Sequence, residues 1–389
     1  MRHPILLSLL TAGFLACAAM GRAAPIVIDR LGTIDAAYDG ERGVIYFTTF
    51  GQGDVARYDV ATGSFLEPIH VGGQPWGLAL SQDQDTLLVA DKTRASNGKV
   101  QVQVVDLPSD SLHPIQFEPD GIESGIASVG FAGPDHFLAS GYFAGSGSIP
   151  LRYVDLTTGS HTSIGEVENF SYLVNSLDMN SVAILQSGST AELYDATTGA
   201  LTHRFTDQAF QAAISADGAR IAVMTTFGAQ IYDRQFHLLG TIGGLVDYQE
   251  VVPISAAFSS DGTKLYLSWA GSSEIYQVWD VATLQKLETL YEDPTIAYGV
   301  DAAVGIKDPF LRLSPDGGTL VAIEPYAVRL FDVPEPGELA AICLGFAAAI
   351  LARRRRSSGV VGGFATEIVA RSQRSTTIIA AWRSKASST

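Results

Sequence analysis

Three features of the sequence predict an all-β chain folded as a seven-bladed β-propeller closed by its N-terminal strand, with a single transmembrane helix near the C-terminus. One short phrase recurs at blade-length spacing, Asp-Gly turns separate pairs of apolar strands, and a lone strand at the start faces a missing strand at the end. The phrase reads "RYDVATG" (57–63), "QVVDLPS" (103–109), "RYVDLTTG" (152–159), "LYDATTG" (193–199), "QIYDRQF" (230–236), "QVWDVAT" (277–283) and "RLFDVPE" (329–335). Its aspartates, Asp59, Asp106, Asp155, Asp195, Asp233, Asp280 and Asp332, stand 47, 49, 40, 38, 47 and 52 residues apart. Each interval has room for four strands and their turns.

From the N-terminus, a short basic start (Met1-Arg2-His3) leads into the apolar stretch Ile5–Met20 and then Gly21-Arg22-Ala23, a small-x-small site. That order of polarity is that of a secretory signal peptide, assigned to residues 1–24. The mature start, "PIVIDRLGT" (25–33), is a strand with no hairpin partner before it. Within the body, 25–333, a second phrase precedes the recurring aspartate. It is clear in "AISADGARIAVM" (213–224), "AFSSDGTKLYLS" (257–268) and "RLSPDGGTLVAI" (312–323), and degraded in "ALSQDQDTLLVA" (79–90). Asp-Gly suits the tip of a hairpin because glycine accepts positive φ without a steric cost. The Asp-x-x-Thr-Gly phrase supplies the next turn, with the aspartate side chain accepting backbone hydrogen bonds. A further strand such as "SFLEPIHVG" (64–72) completes each unit, but none follows Asp332, so the strand at 25–33 is expected to fill that place and close the ring. The phrases resemble those of the YVTN/WD40-like propellers, a group with lactonase-like and quinoprotein-like members.

The body ends at an abrupt change. Pro334-Glu335-Pro336 is followed by the uncharged run Leu339–Ala352 and then Arg353, Arg354, Arg355 and Arg356. As a helix the run would span about 21 Å, and the arginines after it form a stop-transfer cluster that stays on the cytoplasmic side. The segment 334–356 resembles a PEP-CTERM sorting tail. The resemblance implies an exported protein, tethered to the membrane through the C-terminal helix before an exosortase-type enzyme processes it, and then held at the cell surface or in extracellular matrix. Such tails usually end near the arginines; here residues 357–389 continue, and they read as a disordered cytoplasmic extension.

Charge and cysteine content narrow the function. Residues 25–334 hold 15 Lys and Arg against 38 Asp and Glu, a net charge of −23 against −16 for the whole chain. A surface of that sign repels phosphate backbones and argues against a nucleic-acid partner. Cys17 and Cys343 both fall outside 25–333, so the body must be held by its core without disulfides.

No motif with a known mechanism stands out: there is no Gly-x-Ser-x-Gly, His-Glu-x-x-His, Cys-x-x-Cys or Walker loop. Asp83-Gln84-Asp85 is reminiscent of a calcium loop but occupies the Asp-Gly hairpin slot of the second unit, where a turn is expected. The six body histidines, His70, His113, His136, His161, His203 and His237, have no metal-ligand spacing. A propeller still gathers loops from every blade around one channel mouth. The candidate ligand residues there are Asp91, Glu123, Asp247, Glu250, Asp293, Glu324, Trp76 and Tyr298. Carboxylates gathered in this way offer Ca²⁺ as the one conceivable cofactor, and aromatic residues such as Phe50 and Trp76 could stack on sugar rings. The sequence thus points to a non-catalytic module binding extracellular protein or polysaccharide. The alternative is a lactonase-like or quinoprotein-like enzyme with a metal or ligand site at the mouth.

Overall fold

The computed structural model describes residues 24–333, apart from 30–31, 186–189, 206–208, 244–251, 271, 293–309 and 325–326. Pro25–Val333 forms one compact unit. Every regular element among the described residues is a β-strand, and the strands make seven antiparallel sheets of four. No helix among these residues is long and apolar enough to cross a membrane. The signal segment, the Pro334-Glu335-Pro336 motif, the run 339–352 and the arginines Arg353–Arg356 lie outside the described residues.

Blades 1 to 6 occupy 33–70, 75–117, 125–168, 172–205, 209–242 and 252–292, each with strands a to d in chain order outward from the axis. Blade 7 takes strands a to c from 310–332 and its outermost strand from Ile26–Asp29, so the start of the chain closes the ring. Ile26 pairs with Leu330 and Asp29 with Ala327, antiparallel. Ile28 is 2% exposed and packs with Val328, Leu330 and Phe47, which bridges blade 7 to blade 1.

Strand patterns follow position. The inner strands a and b are buried on both faces and read as apolar runs, for example "VIYFTT" in Val44–Thr49 and "KLYLSWA" in Lys264–Ala270. The d strands face water on one side and are mostly exposed, as in Ser64–His70. Between a and b the Ser-x-Asp turn recurs. In Ser215-Ala216-Asp217-Gly218 the serine hydroxyl donates to Asp217 at 2.8 Å and accepts the Arg220 amide at 2.9 Å. The same pattern closes the turns at Ser81, Ser176, Ser259 and Ser314. The fourth position is left-handed throughout: Gly218 at φ 64, and also Gln84 at 60 and Met179 at 56, which replace glycine in blades 2 and 4. Asp83-Gln84-Asp85 is therefore a hairpin turn, and Ser176-Leu177-Asp178-Met179 is a further copy that its missing glycine conceals.

The recurring aspartates form the turns between c and d. The Asp155 carboxylate accepts the Thr158 amide at 2.7 Å and Asp195 accepts that of Thr198 at 2.9 Å. Both sets of turns lie on one face of the ring. The opposite face carries the b–c loops and the connections between blades.

Candidate functional site

Strand geometry decides what reaches the channel. Register shifts interrupt the a–b ladders at Thr33/Asp35, Pro75/Leu78, Ile126/Ser128, Ala209/Gln211 and Pro253/Ser255. Side chains at four of these bulges reach the next blade. Asp35 accepts the Leu78 amide at 2.7 Å, Ser128 that of Leu173 at 3.1 Å, Gln211 that of Ala256 at 2.9 Å and Ser255 that of Leu311 at 2.7 Å. Each bond satisfies an inner-strand donor that would otherwise be buried without a partner.

Asp35, Tyr172 and Arg312, from strands a of blades 1, 4 and 7, meet across the channel. Arg312 donates through Nη2 to Asp35 at 3.0 Å and to the Tyr172 hydroxyl, and through Nη1 to the Leu78 carbonyl at 3.0 Å. Tyr172 donates to Asp35 at 3.3 Å. Burial pushes the Asp35 carboxyl above its usual range, against the pull of Arg312 and of the amides bonded to it.

On the loop face, the described candidate carboxylates are turned into the protein. Asp91, 2% exposed, accepts the amides of Gln74 and Thr93, the Thr93 hydroxyl and the Gln101 side-chain amide. Glu123 receives Arg152 at 2.6 Å through both oxygens in a buried, bidentate pair. Glu324 accepts from Arg329 at 2.6 Å and from the Tyr276 hydroxyl at 2.6 Å. These three belong to different blades and each has its own partners. Asp247, Glu250, Asp293 and Tyr298 lie outside the described residues. Among the described residues, no group of three or more His, Cys, Asp or Glu could hold a metal ion.

The histidines are dispersed too. His70 bonds Asp54 at 2.8 Å, His237 bonds Asp233 at 3.1 Å, and His136 and His203 stack on Tyr153 and Phe236. All lie away from the innermost strands.

Trp76 is the candidate around which other groups gather. It is the second residue of strand a of blade 2, and Lys92 Nζ stands 3.4 Å from its ring centroid, 4.2 Å from that of Tyr142 and 5.4 Å from that of Phe170. Phe50 meets Trp76 edge-on at 6.2 Å. Phe170 reaches the cluster from a left-handed backbone, φ 64, costly for a bulky residue. Asn169 holds that loop by donating to the carbonyls of Phe143 and Gly145 at 2.7 and 2.6 Å. Ring faces favour the ammonium form of Lys92, whereas burial pushes its pKa down to about 8. Sequence reading identified Phe50 and Trp76 but not Lys92, whose ring neighbours come from three separate segments. Three large apolar side chains stand out from this face: Phe50 (68% exposed) and Phe227 (62%) on b–c loops and Ile122 (68%) on the connection from blade 2 to blade 3.

Comparison with known proteins supports the architecture alone. No known protein-family model matches the chain, and no curated protein matches it. Among solved structures, the β-propeller domain of Cps50 (Swd1) from Myceliophteria thermophila is similar, with TM-score 0.58 and 12% identity over 79% of this chain and 98% of that one. At that identity the shared property is the fold, a β-propeller.

Proposed function

We propose that this propeller is an exported, non-catalytic binding module whose loop face takes a protein partner. Export follows from the leader at 1–24. Placement at the cell surface or in matrix follows from the PEP-CTERM-like tail, through membrane tethering and an exosortase-type enzyme. Propellers commonly act as protein-binding scaffolds, and function lives in the site rather than in the fold. The observation that carries it is the set Phe50, Ile122 and Phe227: large apolar groups projecting from three loops on one face. Exposed apolar side chains grouped on one face gain by covering each other on a partner. The mouth carboxylates that a metal enzyme would need, Asp91, Glu123 and Glu324, are instead committed to internal bonds.

A second reading has one observation in its favour. Phe50, with Trp76 beside it, offers an exposed ring on which a sugar can stack, which would make an extracellular polysaccharide the ligand. Crosslinking of the exported protein on intact cells, followed by mass spectrometry, tests the first reading. Crosslinks to one partner should involve the loop face and fall at least tenfold in a Phe50→Ser/Ile122→Ser variant. Crosslinks confined to the turn face would overturn it. Co-sedimentation with extracellular polysaccharide, lost in Phe50→Ser alone, would favour the second. Mass spectrometry of the mature C-terminus tests sorting: a chain still ending at Thr389 would refute cleavage.

A further inference from the structure

Beside the Asp35–Tyr172–Arg312 trio the channel widens, and its lining runs from Arg312 to Leu177, Ala216 and Pro315 in the turns between strands a and b. The widening is a cavity of about 120 Å³, walled by inner strands of all seven blades. Leu78, Val129, Leu173, Ile214, Ala256 and Phe258 are typical of its lining. Arg312 lies at its inner end, with Nη1 and Nη2 bonded to Leu78, Asp35 and Tyr172. For scale, an apolar cavity of about 150 Å³ accepts benzene and stays dry without it. The space here suits a branched group of about five carbons or a small ring.

The cavity mouth is acidic. Leu177, Ala216 and Pro315 line the cavity, and each is followed at once by an aspartate of the Ser-x-Asp turns: Asp178, Asp217 and Asp316. Hydrogen bonds from the Ala219 amide and the Ser215 hydroxyl hold Asp217 below the usual carboxylate range, so it stays ionised. Outside this ring lies the ring of recurring aspartates on the same face. Arg42 is tied to Asp39 and Asp85, and Arg220 and Lys264 are single charges beside their own turns.

We propose that this bore is a binding site for a small hydrophobic ammonium, whose apolar tail fills the cavity while its positive charge remains among the aspartates of the mouth. The tail gains by leaving water, at roughly 25 cal/mol per Å² of apolar surface buried. The head gains from the field of the turn carboxylates, and its exposure to solvent makes that part sensitive to salt. An anion of the same shape meets the same tail site with the wrong charge.

Binding of 3-methylbutylamine to the folded protein, followed by saturation-transfer NMR and calorimetry, tests the proposal, with 3-methylbutanol and 4-methylpentanoate as neutral and anionic analogues. The amine should bind saturably and at least tenfold more tightly than the carboxylate. Ala256→Leu should weaken amine and alcohol alike by tenfold or more. Asp217→Asn/Asp316→Asn retains the oxygen used in each turn, and should weaken the amine several-fold while leaving the alcohol unchanged. Should Ala256→Leu fail to fold, the Asn pair together with the three-ligand comparison still decides. No saturable amine binding, equal binding of the carboxylate, or an Asn pair that leaves amine affinity unchanged would each overturn the proposal. Phe50→Ser on the opposite face should leave amine binding untouched, so this site and the loop face fail or succeed separately.

Discussion

Replacing Glu123 separates a structural carboxylate from a metal ligand. Its side chain is fully buried and Arg152 is 4% exposed, joined by two 2.6 Å bonds. Glu123→Gln removes the charge without much change in shape and leaves a buried guanidinium with one neutral amide oxygen and the Phe117 ring at 5.2 Å as its compensation. Breaking a buried pair on one side costs about 3–5 kcal/mol. Unfolding entropy is about 2.1 cal/mol/K per residue, so a body of about 300 residues should lose roughly 5–8 °C in Tm. Removing both charges with Glu123→Leu/Arg152→Met should restore most of that, because a well-packed apolar pair often matches a buried ion pair. Differential scanning calorimetry of the wild type and the two variants, with and without Ca²⁺, reads the difference. A single substitution that leaves Tm within a degree, or a calcium-dependent rise in Tm that Glu123→Gln abolishes, would refute the reasoning and make Glu123 a ligand.

Other consequences can be checked in the same way. Ile28→Ala should cost about 2–5 kcal/mol by emptying the contact that closes the ring, visible as a lower midpoint in urea and earlier proteolysis near residue 30. Gly218→Ala places a side chain at φ 64, with its Cβ 3.1 Å from the Ser181 hydroxyl, and should cost about 1–2 kcal/mol; an unchanged urea midpoint would count against a left-handed turn there. Lys92 has a folded pKa below its unfolded value, so the unfolded chain holds more protons between about 8 and 10.4, and this residue's contribution should make stability rise with pH across that window. The difference between wild type and Lys92→Met should carry that slope, and parallel pH curves would show that the amine is not shifted.

Local chemistry made the blades legible and long-range chemistry hid the mouth. Asp-Gly in 217–218 and 261–262 announces a hairpin because the turn needs positive φ, while Met179 meets the same requirement without the expected glycine. The strand at 25–33 could be placed because the seventh unit lacked its fourth strand. Asp91, Glu123 and Glu324 could be assigned to one rim from strand order. Their commitment to Gln101, Arg152 and Arg329 could not, since it depends on which rotamers meet across the rim. The trio in the channel is farther still from local signals: Asp35 and Arg312 are 277 residues apart, and each on its own looks like a polar interruption of an apolar strand.

Closure at the seventh blade also has a direction. Ile26 lies opposite Leu330 and Asp29 opposite Ala327, so the incoming end of one strand and the outgoing end of the other sit side by side. Tension applied between them would therefore load the rungs one after another, as in opening a zipper, rather than all at once in shear. The seal of the ring can in this way be the part that yields first to a pull.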